Sequence, residues 1–316
     1  MRSLSFSAAA ALRHTLLWGS RRRRVQRLIT ASPVSRTLVR RFVAGETVDD
    51  AIKVTRDLAG RGLTVSLDHL GEDTHDAAAA AAAVTVYSRL VGRLGAEGLA
   101  QAAEVSVKLS ALGQALDRDM ALDGARAICA AARDAGTTVT IDMEDQTTTE
   151  QTLAAVAELR REFPSTGAVL QASLRRSEAD CRALSQNGSR VRLCKGAYQE
   201  PAAVAWQGRE EVRSAFLRCL SALLAGGAYT MLATHDPALI NAAAQMIPAL
   251  APPGAGHEYQ MLYGIRPDEQ QRLRDAGETV RVYVPFGDQW YQYLMRRLAE
   301  RPANVALVLR ALRSRK

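Results

Sequence analysis

The chain is poor in cysteine, in aromatic residues and in uninterrupted apolar sequence, and each shortage excludes something. It has four cysteines, at 129, 181, 194 and 219, and none forms a C-x-x-C pair. That leaves no basis for a disulfide framework or a zinc site, and it fits a reducing cytosol. Cys194 lies inside an apolar run and reads as core. No stretch reaches the ~20 apolar residues that a membrane-spanning helix needs. Residues 7–18 are apolar but broken by Arg13 and His14, so they lack the clean apolar segment of a signal peptide. There is no G-x-G-x-x-G, so any dinucleotide would be held without a Rossmann turn. No nucleophile elbow or Ser–His–Asp pattern is present. His235 and His257 have no metal-ligand neighbours at useful spacing, and no metal is expected.

What the sequence does have is ordinary globular mass. Its 316 residues are 47% hydrophobic and 23% charged, enough for a sizeable core. The formal charge of +8 is concentrated at one end. Residues 1–50 carry ten arginines against Glu46, Asp49 and Asp50, which sums to +7 and leaves +1 for the other 266. The body is therefore close to neutral, which argues against a nucleic-acid-binding protein. The segment around Arg21–Arg24 reads as a basic amphipathic helix, suited either to an anionic membrane surface or to capping the fold. The expected division is a basic helical arm over 1–60 and a near-neutral body over 61–316, in a cytoplasmic protein whose arm suits a peripheral place on the inner membrane face.

Eight short apolar runs alternate with helical segments. The predicted strands are Gly62–Leu70, Glu104–Ser110, Thr137–Met143, Ala168–Ser173, Arg190–Cys194, Tyr229–Thr234, His257–Leu262 and Val280–Pro285. Between them lie segments such as Ala77–Gly95, Asp123–Ala135 and Thr148–Glu162, and a last helix is expected over Gln289–Glu300. Eight strands each followed by a helix specify an α/β fold, a (β/α)8 TIM barrel. The alanine run 77–83 reads as a strong helix former packed closely on that barrel. The strands alternate. Val105, Val107 and Leu109 oppose Ser106, Lys108 and Ser110; Val139 and Ile141 oppose Thr140 and Asp142; Leu63, Val65 and Leu67 oppose Thr64, Ser66 and Asp68; Val191 and Leu193 oppose Arg190 and Arg192. Successive side chains take opposite faces, so one face packs under the helices and the polar one must fill the lumen. A polar lumen implies a bound polar ligand or a dense ion-pair network. Lys108, Asp142 and Arg192 fall late in their strands, on the side where barrel sites lie.

Two segments carry candidate chemistry. On the last helix Tyr293, Arg296 and Arg297 share a face, a pattern suited to a small carboxylate beside an apolar body. The same spacing also reads as a surface helix with Arg–Glu pairs. In 191–198, Lys195 ends a strand in position to meet phosphate, and Gly196 allows close backbone approach.

These segments together resemble the proline dehydrogenase family, from about Gly62 to Asn304. The motifs run in order: Leu70-Gly71-Glu72, Val107-Lys108-Leu109-Ser110, Ile141-Asp142, Gln171-Ala172, Arg192 to Tyr198, Ala233-Thr234-His235, Glu258-Tyr259-Gln260, Arg281-Val282-Tyr283, and Tyr293-Leu294-Met295-Arg296-Arg297-Leu298. The resemblance implies a distorted barrel whose final helix lies over the C-terminal strand ends. It implies FAD as cofactor and oxidation of L-proline to Δ1-pyrroline-5-carboxylate, with a membrane quinone taking the electrons and a pyrroline-5-carboxylate dehydrogenase as a partner. It implies that Lys108, Arg296 and Arg297 hold the substrate carboxylate, that Tyr283, Tyr293, Leu193 and Tyr198 wall its ring, and that Asp142 holds the cationic cluster. Glu72 would pair with Arg296 when the site closes. Gln171, Arg192, Lys195, Gly196, Ala197, Thr234, His235 and Glu258 would contact the flavin or its phosphates. Three positions depart from the family's usual pattern: Ser173 and Gln199 stand where aromatics are common, and Asp236 where asparagine is common. The rival enzyme on the same fold is a Schiff-base aldolase using Lys108 or Lys195.

Overall fold

The structure, a computed structural model, describes residues 39–71 and 74–300. Residues 1–38 of the arm expected over 1–60, and Glu72, lie outside these residues. The strands are β1 (Thr64–His69), β2 (Ala103–Val107), β3 (Val139–Ile141), β4 (Gly167–Gln171), β5 (Arg190–Cys194), β6 (Tyr229–Ala233), β7 (His257–Leu262) and β8 (Val280–Phe286). Each pairs in parallel with the next and β8 closes on β1. The helices are α1 (Val48–Gly60), before β1, then α2 (Ala77–Ala96), α3 (Arg118–Ala135), α4 (Thr149–Glu162), α5 (Ser177–Leu184), α6 (Arg209–Ala225), α7 (Pro237–Leu250), α8 (Pro267–Asp275) and α9 (Trp290–Glu300), one after each strand. This is the (β/α)8 barrel that the alternation predicts.

Local signals set the boundaries. The Asp117 carboxylate accepts from the amides of Asp119 and Met120 and caps α3, which ends at Gly136 with φ 78°. That positive φ suits a residue without a Cβ. Asp236 caps α7 ahead of Pro237. The alanine run lies inside α2, with Ala80, Ala83, Tyr87, Leu90, Val91 and Leu94 buried. Small side chains on that face let the helix lie close to the barrel. α1 contributes Val48, Ala51, Ile52 and Leu58 to the same core, so the barrel's apolar jacket includes a helix upstream of its first strand.

The main core is the layer between strands and helices, built from Val65, Leu67, Val105, Val107, Ile141, Leu193 and Leu232 with the inward faces of the helices. A second cluster joins Phe42 and Val43 to Leu70, Trp290, Tyr291, Tyr293, Leu294 and Met295. Leu70 directly follows β1, and Ile265, which follows β7, packs on the same cluster. α9 therefore lies over the C-terminal ends of the strands, where βα loops build barrel sites.

The register sorts the polar face into the lumen. Ser66 pairs with Glu104 and Tyr283, Ser106 with Thr140, Arg192 with Met231, and Gln260 with Arg281. The lumen is filled by an ion-pair network, the second of the two contents that its polarity allows. Lys108, Arg190, Arg192 and Arg281 face Asp68, Glu104, Asp142 and Glu258 through contacts of 2.6–3.9 Å. The charges balance, as burial requires.

Candidate active site

The network has two levels. Near the N-terminal ends of the strands, Glu258 is fully buried. Its Oε1 accepts from Arg281 Nε at 2.7 Å and Gln260 Nε2 at 2.6 Å; its Oε2 accepts from Arg281 Nη2 and Tyr229 OH, each at 3.0 Å. Four donors fill this carboxylate from inside the protein, and it sits at the second position of β7. The expectation that Glu258 binds cofactor is therefore corrected. It is a structural anion at the end of the barrel opposite the βα loops, tying β6 and β8 to β7.

Arg192 links the two levels. Its Nε donates to Gln260 Oε1 at 2.6 Å. Nη1 donates to Ser106 Oγ at 2.8 Å and Asp142 Oδ1 at 2.7 Å. Nη2 donates to Ser66 Oγ at 3.0 Å and Glu104 Oε1 at 3.1 Å. All five N–H donors of the guanidinium are thus engaged. Whatever Arg192 offers a bound group is a fixed positive charge rather than a hydrogen bond.

Above it, at the C-terminal ends, Asp142 accepts from Arg192, from Ser106 Oγ at 2.8 Å and from Tyr283 OH at 2.7 Å. The Tyr283 ring lies under the Arg192 guanidinium, 5.3 Å from its centroid. Burial, and then the carboxylates of Asp142 and Asp68, push the Tyr283 phenol upward, so it stays a neutral donor. Lys108 Nζ donates to Asp68 Oδ1 at 2.6 Å and stands 3.8 Å from Asp142 Oδ2. Tyr87, from α2, donates its OH to Ser106 O at 2.7 Å and accepts the amide of His69 at 3.0 Å, clamping the ends of β1 and β2.

Leu193, expected to wall the substrate ring, stands elsewhere. It follows Arg192, so it points out of the barrel, and it is fully buried in the helix-facing core beside strand partners Leu170 and Leu232. It cannot wall a ring in the lumen. Strand parity alone contains this answer, because Arg192 and Leu193 cannot share a face. Leu193→Ala is expected to cost roughly 2–5 kcal/mol of stability and to leave substrate KM unchanged. Chemical denaturation and steady-state kinetics on the same preparation test both halves.

Around β4–β6 the remaining predicted residues gather at the strand ends. Gln171 is buried and its Nε2 donates to Glu144 O at 2.6 Å. Gly196 has φ 106°, and a Cβ there would meet Ser173 Oγ at 2.2 Å, so this turn requires glycine. Ala197 is exposed and Tyr198 half-buried. Lys195 Nζ donates to Asp236 Oδ2 at 2.6 Å, and Arg213 Nη2 donates to the same oxygen at 3.1 Å. Asp236, at the position of a family departure, is held at about 2 although burial raises it, because Lys195 and Arg213 both bond it. Thr234 Oγ1 accepts the Asp236 amide at 3.1 Å. His235 Nε2 accepts the amide of Leu262 at 2.9 Å, which places the ring proton on Nδ1 and leaves the imidazole neutral. Burial pushes the Cys194 thiol up to about 11, but the residue is half-buried at the end of β5, on the same strand face as Arg192, and does not join the apolar core expected for it. Lys108 and Lys195, the two candidates for a Schiff-base nucleophile, are both ion-paired.

On α9, Tyr293 and Arg297 are buried, and the Arg297 guanidinium lies 5.1 Å from the Tyr293 ring centroid. The side chain of Arg296 lies outside the described part of the structure. The sequence reading missed Asp68 and Glu104 as members of the network. The polar parity of β1 and β2 marks both, but only closure brings them to Lys108 and the arginines.

The donor set fits a flavin dinucleotide. Lys195 and Thr234 stand beside the Gly196 turn, where the missing Cβ lets backbone approach a diphosphate, and Gln171 stands at the end of β4 beside the same turn.

Comparison with known proteins agrees with this geometry. The family model described as proline dehydrogenase matches residues 51–310. Proline dehydrogenase 1 of Bacillus subtilis (strain 168) is 38% identical over 301 residues, covering 95% of this chain and 99% of that protein. The proline dehydrogenase of Deinococcus radiodurans is 38% identical over 280 residues, covering 87% and 90%. Among solved structures, proline utilization A (PutA) from Bdellovibrio bacteriovorus, inactivated by N-propargylglycine, superposes with a TM-score of 0.77 at 25% identity. That match covers 84% of this chain and 33% of the solved one, so the chain spans a third of that protein's length.

Proposed function

The chain belongs to the proline dehydrogenase family, and from that premise we propose that it oxidises L-proline to Δ1-pyrroline-5-carboxylate with FAD as cofactor and a membrane quinone as final acceptor. When bound, FAD supplies a two-electron acceptor for the hydride that leaves the substrate ring. The protein's own residues bind, orient and exclude water.

What supports the reading is the placement of Lys108 at the C-terminal mouth, under the helix that carries Tyr293, Arg296 and Arg297. Lys108 and Arg297, joined by Arg296 as the family resemblance implies, would fix a small amino acid by charge-assisted bonds to its carboxylate. The Tyr293 ring, stacked under Arg297, offers an apolar wall for the methylenes. Tyr283 is kept rigid by its bond to Asp142, so its ring edge holds one orientation. Rigid positioning is what hydride transfer needs, because most of the barrier that a protein can remove here is orientational. Arg192 would present a fixed positive charge to the bound groups, a preorganised electrostatic effect that requires no movement. Gln171, Lys195, Gly196, Thr234 and His235 would hold the flavin and its diphosphate. No acid or base of unusual reactivity is required, provided that the substrate nitrogen enters the step deprotonated. A pyrroline-5-carboxylate dehydrogenase is the enzyme class that would consume the product.

The test is an absorption spectrum of the purified protein before and after anaerobic L-proline. The expected result is an oxidised flavin spectrum that bleaches on addition. A flavin that stays oxidised would keep the cofactor and remove the substrate. Failure to bind added FAD would remove the flavin reading altogether.

A further inference from the structure

Among the described residues, two carboxylates share the ammonium of Lys108. Asp68 Oδ1 accepts it at 2.6 Å, and Asp142 Oδ2 stands 3.8 Å away. The two acids differ in the cations that hold them: Arg192 bonds Asp142, whereas beyond Lys108 Asp68 is met by the hydroxyls of Tyr283 and Tyr87. Asp142 is also bonded by Arg192, Ser106 and Tyr283. Asp68 is 1% exposed, at the end of β1. Among the described residues, the titratable and charged groups around it are Lys108 beyond β2, Asp142 beyond β3, Tyr283 on β8, Tyr87 on α2 and His69 beside it on β1. Lys108 is the cation of that set, since His69 is held toward its neutral form mainly by burial and both tyrosines stay protonated.

We infer that Asp68 is a positioning residue that holds Lys108 until substrate arrives, and that it takes up a proton when an anionic substrate binds beside that lysine. This rests on the reading that Lys108 meets a carboxylate. Substrate then brings a third negative charge to an ammonium already shared by two. In a buried site, like charges at this range disfavour full ionisation. Asp142 cannot relieve the crowding, because Arg192 bonds it at 2.7 Å. Asp68 can. Burial, followed by Asp142, already raises its carboxyl above the usual range, against the pull of Lys108. Protonation releases Lys108 toward the substrate and turns Asp68 from an acceptor into a donor. The proton comes from solvent and returns when the site empties, so the uptake is linked to occupancy of the site.

Calorimetric titration of the holoprotein with cyclopentanecarboxylate tests this. The ligand is the proline ring with its nitrogen replaced by CH2, so it carries the anion but cannot be oxidised at nitrogen. Run at one pH in buffers of different ionisation enthalpy, the titration counts protons directly. Wild type is expected to take up about one proton per bound ligand. Asp68→Asn is expected to bind with no uptake, and Asp142→Asn to retain it. Heat independent of buffer in the wild type overturns the inference, as does loss of uptake in Asp142→Asn with retention in Asp68→Asn. Absence of binding in the wild type instead removes the carboxylate reading, and this inference with it.

Discussion

Glu104→Gln should cost roughly 3–5 kcal/mol of folding stability, because removing one partner leaves buried charge uncompensated. Glu104 is 1% exposed and faces three arginines: Arg190 Nη2 at 2.6 Å, Arg192 Nη2 at 3.1 Å and Arg281 Nε at 3.9 Å. Burial alone would raise its carboxyl. Arg281, Arg190 and Arg192 overcome that and hold it at about 2, below the ordinary 4.5. Because the folded value is depressed, the ionised carboxylate contributes stability above about pH 4.5, and the contribution is lost as pH falls toward about 2. A shift of that size corresponds to about 3 kcal/mol. Urea denaturation at neutral pH measures the loss, and a series between pH 5 and 2.5 should show a flatter curve for the variant. A variant within about 1 kcal/mol of wild type would mean that the three guanidiniums find their compensation elsewhere.

Arg297→Met is expected to raise the KM for proline about 10- to 100-fold, from losing one charge-assisted contact worth roughly 1.5–3 kcal/mol. Arg297 lies on α9, buried against Tyr293, and methionine keeps the length of its stem. The melting temperature should therefore move little, while KM moves more than kcat. An unchanged KM would remove Arg297 from the carboxylate clamp. A loss confined to kcat would place it at the reacting centre instead.

Several features were legible before any coordinates. Eight alternating runs, each followed by a helix, specified the barrel, because a period of two and a period near four cannot be exchanged. The polar parity of Ser66, Ser106 and Arg192 marked a lumen that had to hold either a polar ligand or an ion-pair network. The buried cations and acids at the C-terminal ends, Lys108, Asp142 and Arg192, were visible as polar residues late in their strands. The four-residue spacing of Tyr293 and Arg297 placed them on one helical face.

Leu193 and Glu258 show where that reasoning stopped. Both stand in motifs of the family, and motif membership says nothing about depth or face. Leu193 was excluded by the parity of its own strand once Arg192 was known to point inward. Glu258 needed more: its height in the barrel and its four donors, from Tyr229, Gln260 and Arg281, appear only when β6, β7 and β8 lie side by side.

The sequence by itself determined the periodicity, the element order and which residues could share a face, since these follow from local backbone geometry. Only the tertiary structure decided which charges neutralise one another. Arg192 meets Ser66 across 126 residues of chain, and Lys108 meets Asp68 across 40. Such pairings depend on closure of β8 onto β1 and on the register of every strand between. A buried charge takes its partner from whatever that closure brings within a few ångströms.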